Sequence, residues 1–143
     1  MTNNLRYAAF ISYTQADRTW ARWAHHALET YSIPKALQGR QTPVGELGGR
    51  LGKLFLDEAE LSSSSDLTAS LRQALEESAS LVVICSPDAA RSPQVREEVK
   101  TYLELHGPDR VFCLIADGRP SAKKRGLDPK LECFPEPLLQ ETE

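Results

Sequence analysis

Four short apolar runs, separated by stretches with helical periodicity, restrict the fold of this chain more than any other feature. The runs span residues 7–11, 54–56, 81–85 and 111–115. Each is almost continuously apolar, which is typical of strands buried on both faces of a parallel sheet. The order strand, helix, strand, helix, strand, helix, strand indicates βαβ units, and right-handed crossovers then place helices on both faces of the sheet.

The three intervening helices are predicted from apolar side chains that recur every three or four residues. Asp17 is predicted to cap the first helix and Asp66 the second. Ser92 is predicted to cap the third, with a proline at the first helical position. The predicted inward-facing stripes are Trp20, Trp23, Ala24, Ala27, Leu28 and Tyr31 in the first helix, Leu67, Leu71, Ala74 and Leu75 in the second, and Val95, Val99, Tyr102 and Leu103 in the third.

This pattern predicts an α/β fold of the flavodoxin-like, doubly wound type, with a parallel sheet in the strand order 2-1-3-4. In such sheets ligands bind beyond the C-terminal strand ends, at the switch point between strands one and three. Those ends are residues 12–14 and 86–88. A glycine-rich stretch at 39–52 is predicted to be a loop. Because no apolar run follows Ile115, we expect the fifth strand to be missing.

The composition favours a single globular domain. The chain has 143 residues, of which 41% are hydrophobic, enough for one core. Its net charge of −3 gives no electrostatic reason to bind nucleic acid or an anionic membrane. No apolar run could span a bilayer, and the N-terminus does not resemble a signal peptide. We expect a cytoplasmic domain over residues 1–143, with a core at about 6–116 and a polar segment at 117–143, forming the N-terminal part of a longer protein.

The three cysteines, Cys85, Cys113 and Cys133, each have apolar neighbours. Their odd number and this setting predict buried, reduced thiols rather than a disulfide framework. Cys85 ends the third strand, but the sequence shows no base near it. We therefore interpret Cys85 as a core thiol and not as a nucleophile.

Two other kinds of site are excluded by residue spacing. The segment 48–53 resembles a phosphate-binding P-loop, but it has leucine where that motif needs glycine at 47 and serine or threonine at 54. His25 and His26 are adjacent on a predicted helix, so they point about 100° apart and cannot chelate one metal. No histidine and cysteine cluster has the spacing of a zinc site, and no metal is expected.

One carboxylate of the third helix is placed near the predicted cleft. On a wheel of about 100° per residue, Glu97 points away from the stripe of Val95 and Tyr102, whereas Glu98 lies on its flank. Glu98 is also within two turns of the helix N-terminus, close to the loop that leaves strand three. This position suits an active-site carboxylate. The wheel alone favours a boundary glutamate that reaches solvent or pairs with an arginine.

Several of these segments together resemble bacterial Toll/interleukin-1 receptor (TIR) domains. The segments are YAAFISY at 7–13, FLDEAEL at 55–61, LVVICSP at 81–87, residues 89–98 and CFP at 133–135. They are similar, in that order, to the first box, the second box with its BB loop, the third strand, the third helix and a later segment common in bacterial TIR proteins. The resemblance covers about residues 6–138, and the order and spacing are more specific than any one motif.

The resemblance implies an enzyme that hydrolyses or cyclises NAD and releases nicotinamide. In many TIR domains a glutamate of the third helix, within a pattern like Trp-Cys-x-x-Glu, is essential, and Glu98 matches it. Gln94 stands in the place of the tryptophan, Val95 in that of the cysteine, and Leu56 in that of an arginine often found in the second box. NAD is then the substrate, and no separate cofactor is implied.

Topology and resemblance together predict the rest of the site. The expected substrate-binding residues are Ser12, Tyr13, Thr14, Asp57, Ser86 and Gln94. The implied partner is a second TIR domain, because in enzymatic TIR domains the BB loop of one copy, here residues 57–66, completes the site of the next. The implied role is that of a bacterial immune effector, as in antiphage defence, or a signalling effector.

Two other functions fit the same sequence features. The first is a non-catalytic TIR domain that recruits other TIR domains, and the absence of the tryptophan favours it. The second is another enzyme of similar fold that acts on N-glycosidic bonds, such as a deoxyribosyltransferase. Release of free nicotinamide from NAD distinguishes these alternatives from the NAD-cleaving enzyme.

Overall fold

The sheet contains the four predicted strands, all parallel. The computed structural model describes residues 5–56 and 68–139. Its strands are β1 Ala9–Ser12, the hairpin strands β2 Gln41–Thr42 and β3 Gly45–Glu46, then β4 Leu54–Phe55, β5 Leu81–Cys85 and β6 Val111–Ile115. The sheet order is β4-β1-β5-β6, the predicted 2-1-3-4 order counted over the core strands. The flavodoxin-like fold is therefore confirmed, and the stretch predicted as a plain loop contains the small antiparallel hairpin β2-β3.

The helices that flank the sheet begin and end close to the predicted signals. In the described ranges they are α1 Arg18–Glu29, α2 Ala69–Glu76, α3 Pro87–Ala90, α4 Pro93–His106 and α5 Glu136–Leu139. The predicted third helix is α4, whose cap Ser92 accepts the backbone N–H of Val95 at 3.2 Å. The cap of α2 is Thr68, and Asp66 and Leu67 lie outside the described residues. None of the described helices is long and apolar enough to cross a membrane.

One face of the sheet packs against α2 and α4 through their predicted apolar stripes. Phe10, Leu81 and Val83 form one buried cluster with the inner stripes of both helices, and nearly all of these side chains are fully buried. The buried members of the two helical stripes are Leu71, Ala74, Leu75, Val95, Val99 and Tyr102. Cys133 and Leu138, from the segment after β6, also belong to this cluster.

The other face packs against α1, and here the predicted stripe is correct for Ala24 and Leu28 but wrong for its aromatic residues. Trp20 is 48% exposed and Trp23 56%, whereas Ala21 and Ala24 are buried against the sheet. Both pairs are three residues apart, so both satisfy helical periodicity. The alanines allow α1 to approach the strands closely, which leaves the indole rings on the outer face. Tyr31 follows the end of the helix and is exposed.

β6 forms an edge of the sheet. It pairs with β5, and within the described ranges no strand pairs with its outer side. Phe112 is 56% exposed and Ile115 48%, and Cys113 is exposed as well. The prediction that all three cysteines are buried is therefore wrong for Cys113, because an edge strand leaves part of its surface uncovered. All three thiols are free.

The segment after β6 folds back over the C-terminal ends of the strands. The carboxylate of Glu132 accepts backbone N–H groups from Ser121, Ala122 and Phe134 at 2.8–3.1 Å. Gly118 has a φ of +89°, and a Cβ atom there would lie 2.6 Å from the carbonyl oxygen of Leu131. This close approach requires glycine, because any side chain would collide with backbone.

Candidate active site

The C-terminal ends of β1 and β5 meet at one edge of the sheet, at the predicted switch point. The two strands are parallel neighbours, with Phe10 opposite Leu81 and Ser12 opposite Val83. Ser12 is fully buried, and Ser86, the residue that follows β5, is 3% exposed. The polar side chains at this edge are therefore held inside the protein.

Glu98 of α4 lies over this edge as a buried carboxylate. The residue is 2% exposed. Its Oε1 accepts a hydrogen bond from Ser12 Oγ at 2.6 Å, and its Oε2 accepts one from Gln94 Nε2 at 3.0 Å. Burial of a carboxylate is costly unless hydrogen bonds compensate for lost water, and these two donors provide that compensation. The wheel-based expectation of a boundary glutamate is therefore wrong, because the sheet edge covers the flank on which Glu98 lies.

Gln94 is placed one helical turn before Glu98 and is half-buried. This i, i+4 spacing brings the two side chains together on the helix surface. The amide that the sequence assigns to substrate binding is here a hydrogen-bond donor to Glu98. Gln94 thus contributes to the orientation of the carboxylate.

A second carboxylate, Asp17, belongs to the same edge of the sheet and was not predicted to be there. Asp17 is 9% exposed, and its Oδ2 accepts hydrogen bonds from Ser86 Oγ at 2.5 Å and from Thr14 Oγ1 at 3.2 Å. The residue does stand at the N-cap position of α1, but its side chain accepts no hydrogen bond from the helix backbone. The predicted N-cap position is confirmed, but the side chain does not cap the helix, because Ser86, 69 positions away in the sequence, comes within reach of the carboxylate.

Of the other predicted site residues, Tyr13 lies on the opposite face of the sheet from Ser12. Tyr13 is 7% exposed and packs on the α1 face of the sheet, because successive residues of an extended strand point to opposite faces. Asp57 lies outside the described residues. Glu97 is half-buried and lines a groove between α4 and α5, away from Ser12.

Cys85 lies directly before Ser86, and its environment disfavours nucleophilic chemistry. The thiol is fully buried. A hydrogen bond with Cys113, together with burial, raises the pKa of Cys85 well above its ordinary value. Because the thiolate is the reactive form, Cys85 remains an unreactive core thiol, as the sequence predicts.

Comparison with known families identifies the class of protein that has this fold and this cluster. Residues 9–133 match the family model of the TIR domain. That match covers most of the 143 residues. The chain belongs to the TIR domain family, and the resemblance seen in its sequence is confirmed.

Two known proteins show what this TIR domain is similar to. It is 31% identical over 119 residues to the NAD(+) hydrolase ApTIR of Actinoplanes sp., an alignment that covers 80% of this chain and 14% of that relative. It also superposes on a TIR domain of the activated Roq1 resistosome, which directly recognises the pathogen effector XopQ, with a TM-score of 0.58 and 20% identity. The superposition covers 87% of this chain and 66% of the other, and it supports the fold alone.

Proposed function

We propose that this TIR domain cleaves the bond between nicotinamide and ribose in NAD, with Glu98 as the catalytic carboxylate. The observation that carries the proposal is the burial of Glu98 at the switch point, with each of its oxygens held by a separate donor. The similarity to a relative named as an NAD(+) hydrolase supports the same substrate.

The chemistry of NAD cleavage suits a single fixed carboxylate. Nicotinamide leaves as a neutral ring from a cationic one, so the reaction needs no general acid. The ribosyl group left behind develops oxocarbenium character, as in other glycoside cleavage. A preorganised carboxylate in a site that excludes water stabilises this positive charge as it forms. Capture of the cation by water gives ADP-ribose, and capture by the adenine part of the substrate gives a cyclic product.

Ser12 and Gln94 supply the preorganisation. Ser12 extends from the end of β1 and Gln94 from the same helix as Glu98, so the carboxylate is tied both to the sheet and to its own helix. We infer that this carboxylate faces the ribose of the bound substrate.

We further propose that activity depends on self-association, as expected for a bacterial immune or signalling effector. The loop at residues 57–66 would then complete the site of a neighbouring copy. An isolated domain should then be mostly monomeric and weakly active. Clustering the domain should therefore increase its specific activity.

A non-catalytic TIR domain that recruits other TIR domains is the second candidate function. It is favoured by Gln94, because this side chain has no aromatic face for a base or nicotinamide ring and already donates to Glu98. In this alternative, Glu98 would be a structural carboxylate that links α4 to β1.

Release of free nicotinamide from NAD by the purified protein tests the proposal. The measurement is made on the protein in solution and on the same protein clustered on a surface through a tag. Nicotinamide that increases on clustering supports the enzyme. No release in either state would contradict it and leave the recruitment function.

A further inference from the structure

Asp17 is a buried carboxylate to which the cleavage chemistry assigns no role. It ends the 3-10 turn Gln15–Asp17, which follows β1 and leads into α1. A single oxygen atom, Oδ2, accepts the hydroxyl groups of both Ser86 and Thr14. Asp17 therefore joins the segment after β1 to the residue after β5, the two segments that meet at the switch point.

The hydrogen-bonding capacity of these hydroxyl groups determines what they can offer a ligand. A hydroxyl has one proton to donate, and an ionised carboxylate can only accept. Thr14 and Ser86 therefore both donate their protons to Asp17. Ser86 Oγ also accepts the backbone N–H of Ala89 at 3.0 Å. The lone pairs that remain on Thr14 and Ser86 can only accept hydrogen bonds, and the same holds for Ser12, whose proton goes to Glu98.

An aspartate in the position of Asp17 ordinarily stabilises the helix that follows it. An aspartate at an N-cap commonly accepts a backbone N–H of the first turn, which stabilises the helix. Here that hydrogen bond is absent, and the side chain is directed to the two hydroxyl groups instead. Departure from such a local rule is typical of residues that shape a functional site.

We propose that Asp17 is a positioning residue that holds Thr14 and Ser86 at the switch point as acceptors for the ribose hydroxyl groups of NAD. The assignment rests on the proposed NAD-cleaving function. A sugar hydroxyl can donate to a row of acceptor oxygens, whereas a phosphate, which only accepts, is not recognised by them. Asp17 itself acts through Thr14 and Ser86 and not by contact with the substrate.

Steady-state kinetics of nicotinamide release test this role. Asp17→Ala should raise the KM for NAD by about tenfold, the equivalent of one net hydrogen bond, while kcat stays within about threefold. Glu98→Gln should instead lower kcat. Asp17→Asn keeps one acceptor oxygen and should restore most of the affinity. Asp109→Ala is the matched control, because Asp109 is exposed in the loop before β6, where the strand begins, and the site lies where the strands end.

A double variant separates an effect through Ser86 from a general loss of structure. If Asp17 acts by holding Ser86, then Asp17→Ala combined with Ser86→Ala should bind NAD no more weakly than the weaker single variant. Thermal unfolding of each variant is measured in parallel. A lower melting temperature with an unchanged KM, or fully additive losses in the double variant, would overturn the positioning role.

Calorimetric titration of NAD in the Glu98→Gln background measures the Kd for NAD without turnover. If the wild type releases no nicotinamide but Asp17→Ala still weakens NAD binding about tenfold, the cleavage function fails and the positioning role stands. If the wild type cleaves NAD and Asp17→Ala leaves the Kd unchanged, the positioning role fails alone. Absence of NAD binding in every variant overturns both. Should Asp17→Ala not fold, Asp17→Asn carries the comparison, with an expected loss of about threefold.

Discussion

The switch-point end of β1 and β5 and the outer edge of β6 are opposite in character. At the switch point polar side chains are buried: Ser12 is fully buried and Glu98 is 2% exposed. At the second, apolar side chains are exposed, with Phe112 at 56% and Ile115 at 48%. A cavity of about 380 Å³ on the α1 face of the sheet extends as far as β6 and is lined almost entirely by apolar side chains, Val82 and Leu114 among them.

The two regions therefore differ in how well they tolerate substitution. A buried hydroxyl or carboxylate must keep its partner, because an unsatisfied polar group costs about 1–3 kcal/mol. An exposed apolar side chain is already in water, so its replacement changes the folding free energy little. Substitutions should therefore act on turnover and binding at the switch point, and have small effects on stability at the β6 edge.

The largest expected effect is that of Glu98→Gln on turnover. The variant removes the charge that stabilises the oxocarbenium-like cation, so kcat for nicotinamide release should fall at least about a hundredfold. Circular dichroism should show that the fold is retained. Glu97→Gln, one residue earlier on a face away from Ser12, is the control and should stay within about twofold. Equal losses in both variants would remove Glu98 from the catalytic role.

The cysteines allow a comparison of the β6 edge with the buried core by chemical labelling. Interaction with the Cys85 thiol lowers the pKa of the exposed Cys113, whereas burial raises the pKa of Cys133 to about 11. Because thiolate is the reactive form, iodoacetamide should modify Cys113 roughly a hundredfold faster than Cys133 near neutral pH. Its labelling should also reach half of the maximal rate at a lower pH than that of a free cysteine. Mass spectrometry of Cys113→Ser supplies the control, and comparable labelling of Cys85 in the native protein would contradict the exposure described here.

Gln94→Trp tests whether residue 94 contacts the substrate or only Glu98. An aromatic ring at the lip of the cleft can stack on the substrate, a contact worth about 0.5–1.5 kcal/mol, so the KM for NAD should fall by up to about tenfold. The substitution also removes the amide donor from Glu98 Oε2, so kcat should fall severalfold. An unchanged KM would mean that Gln94 serves only Glu98 and does not contact substrate.

The smallest expected effect is that of Ile115→Thr at the β6 edge. Threonine is also β-branched and suits a strand, and Ile115 is half-exposed, so the free energy of unfolding in urea should change by less than about 0.5 kcal/mol. The matched substitution Ile84→Thr buries a hydroxyl in the fully buried centre of β5 and should cost more than about 2 kcal/mol. Similar losses for the two variants would mean that β6 is covered in solution.

The sequence by itself determined the sheet and one of its two faces. Continuous apolar runs predict strands buried on both faces, and the inner stripes of α2 and α4 follow because each helix has one apolar face. The boundaries of α4 are likewise local, since Ser92 caps its start and Gly107, with a φ of 82°, ends it. The site residues Ser12, Ser86 and Glu98 could be named from topology and family resemblance.

The hydrogen bonds that connect those residues depend on the tertiary structure. In α1 both the pair Trp20 and Trp23 and the pair Ala21 and Ala24 have helical spacing, and which pair is buried depends on how closely the helix can approach the sheet. The hydrogen bond between Ser12 and Glu98 spans 86 positions and that between Ser86 and Asp17 spans 69. Such contacts leave no periodic trace in the sequence, because hydrogen bonding between distant polar side chains depends on the packing of the strands and helices that carry them.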